Sequence, residues 1–367
     1  MTLFLVQDVP TPHNNLVALE LEKVMGGDFV QVYAFLNSRD YGFRRELISK
    51  RSKIILTGGR LPHLGLLLKA VFNLKAKWIV VGWSNPTSRI LILIFWALRR
   101  HFVFWMDQPL PNSVFHARSL RGVGLLVLRY SRASIAAVGK PAVHYFSRRG
   151  FHRARIRNIP VTFTRPSTTT PVHSHAIERW RAASFSLLFA SRLVPEKGAD
   201  ILVQALSLLP AAIRSQIALL IVGRGPEASA ISSQTKSLGL ETQVTFLDWA
   251  EFDELVWIAD CANLIVAPSR FDSYGGAALL AMITGKPFMA SDSVGAAIDF
   301  IDRGIEIPLF RSGDVTALAS LLEDFTAQAL NFRSQANQLS LLAASLNPKN
   351  TARELLLLLE DGRGKKH

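Results

Sequence analysis

The chain has 367 residues, with 42 Lys and Arg against 28 Asp and Glu, a formal net charge of +14 at pH 7. That length exceeds one ordinary domain and suits two, and 49% hydrophobic residues can fill sizeable cores. One cysteine, Cys261, excludes an internal disulfide and a Cys-based zinc cluster, points to a reducing compartment, and reads as core rather than nucleophile. The basic balance predicts anionic partners: phosphate-bearing substrates, an acidic membrane surface or nucleic acid.

The opening MTLFLVQDVP lacks a basic head and has only a short apolar run, so it reads as a first strand, Leu3 to Val6, and not as a signal peptide. A loop, VPTPHNN, precedes a helix from Leu16 to Met25. A loop between the first strand and first helix of an open α/β sheet lies at the carboxyl ends of the strands, where ligands bind. His13, Asn14 and Asn15 are therefore candidates to touch a ligand, or an Asn caps the helix.

Phe29 to Phe35, Lys53 to Leu56, Trp78 to Val81 and Phe102 to Trp105 are further strands, with helices such as Leu64 to Asn73 and Ser88 to Arg100 between them. This alternation argues a parallel sheet wrapped by helices. Two strand ends carry chemistry: GWSNPTS, with Trp83, and MDQP, in which Asp107 could orient or deprotonate a hydroxyl or simply make a turn. The helices RILILIFWALRRHF, LRGVGLLVLRYSR and LGLLLKAVFNLKAK mix apolar and cationic residues, which suits either buried helices with solvated ends or an anionic bilayer interface. Ile90 to Leu98, about half the length that spanning needs, predicts a chain that is soluble or lies on a membrane.

IAAVGKPAVHYFSRRGFHRARIRNIPVTF closes the first half with a strand, a helix and a final strand. RPSTTTPVHSHAIERW is poor in apolar residues and reads as a linker. The expected domains are 1–165, a linker at 166–182 and a second domain at 183–345, followed by a C-terminal helix and basic tail at 346–367. In the second half, LLFASRLVPEKGADILVQAL is a strand, a loop bearing Arg192 and Lys197, and a helix. Two cations on one loop suit a diphosphate. IALLIVGRGPEA is a strand into a GxG turn with Gly223. VTFLDW is another strand. The acids of EFDE fall at a helix start, where they would satisfy its dipole. No Asp-x-Asp occurs and the histidines are scattered, so no metal is expected. LIVAPSRFDSYGGAALLAMITGKPFMASDSVG runs strand, acidic loop, glycine-led helix, strand; a helix opening on glycines is a ready anion site.

SRLVPEKGADILVQAL, LLIVGRGPE and PSRFDSYGGAALLAMITGKPFMASDSVGA, in that order, resemble the C-terminal domain of retaining nucleotide-sugar glycosyltransferases of the GT-B fold. The first half, through GWSNPTS, FWMDQP and AVGKPAVHYFSRRG, resembles bacterial members that build envelope polysaccharides. The resemblance implies two Rossmann-like domains with parallel sheets facing a central cleft, and a C-terminal helix and tail, 346–367, returning to the first domain. It implies donor contacts from Arg192, Lys197, Gly223, Leu247, Asp248, Asp272, Ser273, Tyr274, Gly275 and Gly276, with the nucleotide base near Leu247 to Trp249. Asp107, Asp272, Arg192 and Lys197 would be catalytic; His13, Asn14, Asn15, Trp83 and Asp107 would meet the acceptor. No cofactor or metal is implied beyond the donor itself. The partners implied are a nucleotide-sugar donor, a glycan or lipid-linked acceptor and an anionic membrane surface, in a cytoplasmic protein peripheral to the inner face. A nucleic-acid partner is not expected, since no recognised module accompanies the charge. One departure stands out: the family's second acid, which grips the ribose, falls at Leu280. It leaves a catalytically silent GT-B protein, binding glycans or partners, as the alternative.

Overall fold

In a computed structural model the described residues are 2–8, 11–34, 53–56, 64–83, 85–109, 116–172, 174–327 and 332–361. The chain divides into two compact units: Met1–Phe163 with Leu346–His367, and Thr164–Ser345.

Unit 1 runs β1 (Leu3–Gln7), α1 (Pro12–Met25), β2 (Phe29–Tyr33), β3 (Lys53–Leu56), α2 (Leu64–Phe72), β4 (Lys77–Val81), α3 (Pro86–Ala97), β5 (His101–Met106), α4 (His116–Tyr130), β6 (Arg132–Ala137), α5 (Gly139–Arg148) and β7 (Ile156–Asn158). The strands form one parallel sheet in the order β3-β2-β1-β4-β5-β6-β7, with Val6 opposite both Val32 and Val80. The order reverses between β1 and β4, which makes that edge the switch point. Right-handed crossovers place α2, α3, α4 and α5 on one face. There Leu67, Leu91, Phe95, Leu128 and Phe146 pack on Trp78, Phe102 and Phe104.

Unit 2 runs α6 (His175–Ala182), β8 (Phe185–Ala190), α7 (Ala199–Leu208), α8 (Ala211–Arg214), β9 (Ile217–Val222), α9 (Ala228–Ser237), β10 (Val244–Leu247), α10 (Phe252–Cys261), β11 (Leu264–Ala267), α11 (Gly276–Thr284), β12 (Phe288–Ser291), α12 (Gly295–Asp302), β13 (Leu309–Phe310), α13 (Val315–Thr326) and α14 (Phe332–Ser345). Its parallel sheet has the order β10-β9-β8-β11-β12-β13, with the switch between β8 and β11. The last helix, α15 (Pro348–Asp361), belongs to unit 1 and lies on α1, β4, β5 and β6. Arg157 holds it through Glu354 and Asp361, each at 3.1 Å.

Three expectations need correction. The helix after β1 starts at Pro12, not Leu16, because a proline with its fixed φ favours the first helical position. His13, Asn14 and Asn15 are therefore in a helical turn rather than a loop, and Thr11 occupies the N-cap position. The linker reading of 166–182 misses α6. There Ser174 caps through its hydroxyl, and Ile177 and Trp180 are buried. Two apolar residues three apart on one short helix are too sparse to stand out from the polar residues around them. Cys261 is half-buried at the end of α10 rather than core.

Trp180 donates its indole N–H to the Leu187 carbonyl at 2.9 Å, so α6 is pinned to β8 by both packing and a hydrogen bond. Trp180→Ala is expected to lower unfolding free energy by about 3–5 kcal/mol. Urea denaturation should show this as a reduced midpoint with an unchanged slope, whereas a true linker would show neither.

Candidate active site

The loops after β8 and β11 emerge side by side at the switch point of unit 2. The Lys197 ammonium sits 2.6 Å from Asp272 Oδ2, with the two side chains only 15% and 13% exposed. Asp272 Oδ2 in turn lies 3.7 Å from where a Cβ would stand on Gly275, the N-cap of α11. A lysine, a carboxylate and a helix N-terminus thus share one point. A Cβ added to Gly276 would meet nothing within 4 Å, so the mouth of the helix is open to a ligand on that side.

The two loops are tied directly. The Phe271 N–H donates to the Glu196 carbonyl at 3.1 Å. Arg270 grips Asp200 with both guanidinium nitrogens, at 2.8 and 2.6 Å, and donates to the Pro195 carbonyl at 2.9 Å. Burial alone would raise the Asp200 carboxyl, but the hydrogen bonds and charge of Arg270 hold it below its ordinary range. Sequence reasoning missed this clamp; its signal is an acid in the first turn of α7 and an arginine on the adjoining strand's loop. Gly198, at φ +69°, lets Lys197 sit where it does: a Cβ there would come within 2.1 Å of the Pro268 carbonyl oxygen.

The acidic loop is fastened to α12. The Gly295 and Ala296 N–H groups donate to the carbonyls of Asp272 and Tyr274, at 3.0 and 2.6 Å. The buried Tyr274 hydroxyl donates to Asp299, itself 3.6 Å from Arg303. The Tyr274 side chain and two of the loop's carbonyls therefore serve the fold, and α11's first-turn N–H groups are what this loop offers an anion. Ser273 is half-buried in the same loop. Arg192 is exposed, two residues beyond β8. Gly223 directly follows β9, where its N–H donates to the Leu247 carbonyl at 2.9 Å and where a Cβ would fall 1.9 Å from the Ser191 oxygen. Asp248, at the end of β10, pairs with Arg224 at 3.5 Å, and Arg224 also lies over the exposed Trp249 ring. Leu280 is buried in α11 among apolar residues. Glu251 and Glu254 form a capping box on α10, as the helix-start reading of EFDE required.

In unit 1 Asp107 is half-buried just past β5. Trp83 is half-buried and packs on Phe104 and against Gly124 of α4. Asn14 and Asn15 are buried in the first turn of α1. Sequence reasoning missed Asp8, at the switch point of this sheet. Burial pushes its carboxyl up, against a hydrogen bond from Asn85 and the charge of Arg89. His13, edge-on to Phe163, is desolvated and its imidazole is pulled down to about 4.

Residues 174–340 match the family model described as glycosyl transferases group 1. This segment belongs to that family. The D-inositol 3-phosphate glycosyltransferase of Mycobacteroides abscessus is 30% identical to the chain over 151 residues, which is 39% of this chain and 33% of that protein. The matched stretch thus spans about a third of the curated relative. Over nearly the whole chain the likeness is structural. HepE of Anabaena, solved with UDP and glucose, superposes with a TM-score of 0.75 at 19% identity, over 98% of this chain and 100% of that one. WaaG, a glycosyltransferase involved in lipopolysaccharide biosynthesis, superposes with a TM-score of 0.68 at 14% identity, over 96% and 99%. At those identities the likeness is one of fold, and the two Rossmann-like units are those of the GT-B class.

The depressed His13 value has a direct consequence. The folded chain keeps His13 neutral down to about pH 4, whereas the unfolded chain protonates it near 6.5. The stability it contributes is complete above pH 6.5 and is lost as pH falls from there to about 4. His13→Asn should flatten that part of a stability-against-pH curve measured by urea denaturation, and His13 ring protons should titrate near pH 4 by NMR.

Proposed function

We propose that the protein is a metal-independent, retaining glycosyltransferase that takes its sugar from a nucleotide diphosphate donor seated in unit 2. The carrying observation is the Lys197–Asp272 pair beside Gly275 at the β8/β11 switch point. A diphosphate entering there finds the N-terminus of α11, and Lys197 exchanges the carboxylate for a phosphate oxygen. Arg192, on the same loop, adds the second charge. Both stabilise the departing nucleotide diphosphate, whose charge grows as the glycosidic bond breaks. Asp272, released from Lys197, is left beside the sugar, and the leaving phosphate accepts the acceptor's proton on the face it vacates. That front-side route keeps the anomeric configuration. Gly223, Leu247 and Asp248 are assigned to the nucleoside end. Asp107 and His13, with Asn14, Asn15 and Trp83, are assigned to the acceptor; a neutral imidazole at pH 7 can accept a hydroxyl proton in a hydrogen bond.

The solved relatives support this reading: HepE was crystallised with UDP and glucose, and WaaG acts in lipopolysaccharide biosynthesis. The acceptor proposed here is accordingly a glycan or lipid-linked sugar of the bacterial envelope, met on the cytoplasmic side. Two cations in the donor loop take the part a divalent ion would play.

One observation favours a second reading, a silent GT-B protein that binds glycans or partners. Leu280 stands where the family places a ribose-gripping acid, and it is 4% exposed in an apolar helix. A ribose hydroxyl left unpaired there costs about 1–3 kcal/mol. Turnover decides between the two. Purified protein given a panel of nucleotide sugars should transfer or slowly hydrolyse one of them, with the product anomer read by NMR; no turnover with any donor would establish the silent reading.

For the active protein, Lys197→Ala and Arg192→Ala are each expected to cut the rate by roughly 10²–10³-fold. Their melting temperatures should stay close to the parent's, and normal rates in both would remove the diphosphate assignment. EDTA should leave the rate unchanged; inhibition that added metal reverses would overturn metal independence.

A further inference from the structure

Asp299, in the middle of α12, is a fully buried carboxylate that the proposed transfer does not use. Its Oδ2 accepts the Tyr274 hydroxyl at 3.3 Å and lies 3.6 Å from the Arg303 guanidinium one turn on. Burial and the charge of Asp299 push the Tyr274 phenol well above its ordinary range, so the hydroxyl stays a donor at every working pH. A sealed carboxylate is expensive to keep, and a phenylalanine facing a leucine would fill the same space at less cost. Packing alone therefore does not account for this pair.

Tyr274 stands two residues after Asp272 and directly before Gly275, the N-cap of α11. α12 takes hold of this loop at two heights. At its first turn the Gly295 and Ala296 N–H groups hold the carbonyls of Asp272 and Tyr274, and just before it the Ser293 carbonyl accepts from the Asp272 N–H at 3.1 Å. The fit is close: a Cβ on Gly295 would come within 2.3 Å of the Ser273 oxygen. One turn further along, Asp299 holds the far end of the Tyr274 side chain. From the other side the loop is tied by the Phe271 N–H to Glu196 and by the Lys197–Asp272 pair. In the proposed transfer the diphosphate takes Lys197, so that tether of the carboxylate opens as the donor arrives. The attachment to α12 does not.

We infer that Tyr274 and Asp299 are positioning residues: through their buried hydrogen bond α12 keeps the Asp272 loop in register with Gly275 once Lys197 has turned to the diphosphate. The inference rests on the transferase reading of unit 2. Neither side chain meets the donor. With Lys197 and Arg192 intact the diphosphate still binds, and what a loosened loop loses is the alignment of Asp272 beside the sugar. A shift of about 1 Å at a reacting centre can cost roughly 10²-fold in rate.

The test compares three variants. Tyr274→Phe removes the hydroxyl, Asp299→Asn keeps an acceptor for it, and Trp180→Phe removes one buried hydrogen bond from α6 in the same unit. With a nucleotide sugar that the parent turns over, Tyr274→Phe should lower kcat about tenfold or more and leave the donor KM within about twofold. Asp299→Asn and Trp180→Phe should keep kcat within about threefold of the parent. Hydrogen exchange reads the loop without turnover. The amides of Asp272, Gly295 and Ala296 should exchange about five- to tenfold faster in Tyr274→Phe, and at the parent's rate in the other two variants. Parental exchange at these amides in Tyr274→Phe, or equal acceleration in Trp180→Phe, would overturn the inference. So would a Tyr274→Phe kcat equal to the parent's, a loss carried by KM alone, or an equal kcat loss in Trp180→Phe or Asp299→Asn. A parent that turns over no donor would instead refute the transferase reading, and the exchange rates would still decide whether the phenol holds the loop.

Discussion

The contact between Lys197 and Asp272 sets the terms for everything proposed of unit 2. Opposite charges 2.6 Å apart and mostly shielded from water attract strongly, yet both have been taken from solvent to meet. The pair is held by its surroundings: the Arg270–Asp200 clamp fixes the two loops to each other, and the N-terminus of α12 fixes the carboxylate's loop from behind. The diphosphate proposed to enter there would meet a lysine already aimed and a carboxylate already standing in for an anion. Exchange of one anion for another leaves the lysine paired throughout, so its desolvation is met before the ligand arrives.

The switch point of unit 1 has a different chemistry. It gathers Asp8, Asn85 and Arg89 in a polar cluster, with Asp107 and His13 nearby in sequence register at the carboxyl ends of the strands. Burial favours the neutral forms of the Asp8 carboxyl and the His13 imidazole, which suits the proposed recognition of neutral hydroxyls. The proposed roles thus divide by electrostatics: charge recognition in unit 2, hydrogen bonding in the switch-point cluster of unit 1.

Much of this was legible in the sequence because period and punctuation are local. β3, β8 and β11 have the bounds read from their apolar runs, and the glycine-led start of α11 followed from Gly275 and Gly276 alone. The start of α1 was missed because four polar residues hid a proline-initiated turn. The Arg270–Asp200 clamp was not legible because it joins residues 70 apart that meet only after both strands pair. The same holds for Gln335 of α14, whose side chain pairs with both the N–H and the carbonyl of Phe288 on β12, at 2.7 and 2.9 Å. An amide that mimics a neighbouring strand leaves no trace in hydropathy.

The return of α15 to unit 1 has a bearing on how the protein is made. On a ribosome, residues 1–163 emerge first but lack the helix that covers β4, β5 and β6 and neutralises Arg157. Unit 2 is contiguous and can close as soon as its last strand is released. The half translated earlier is thus the half finished last.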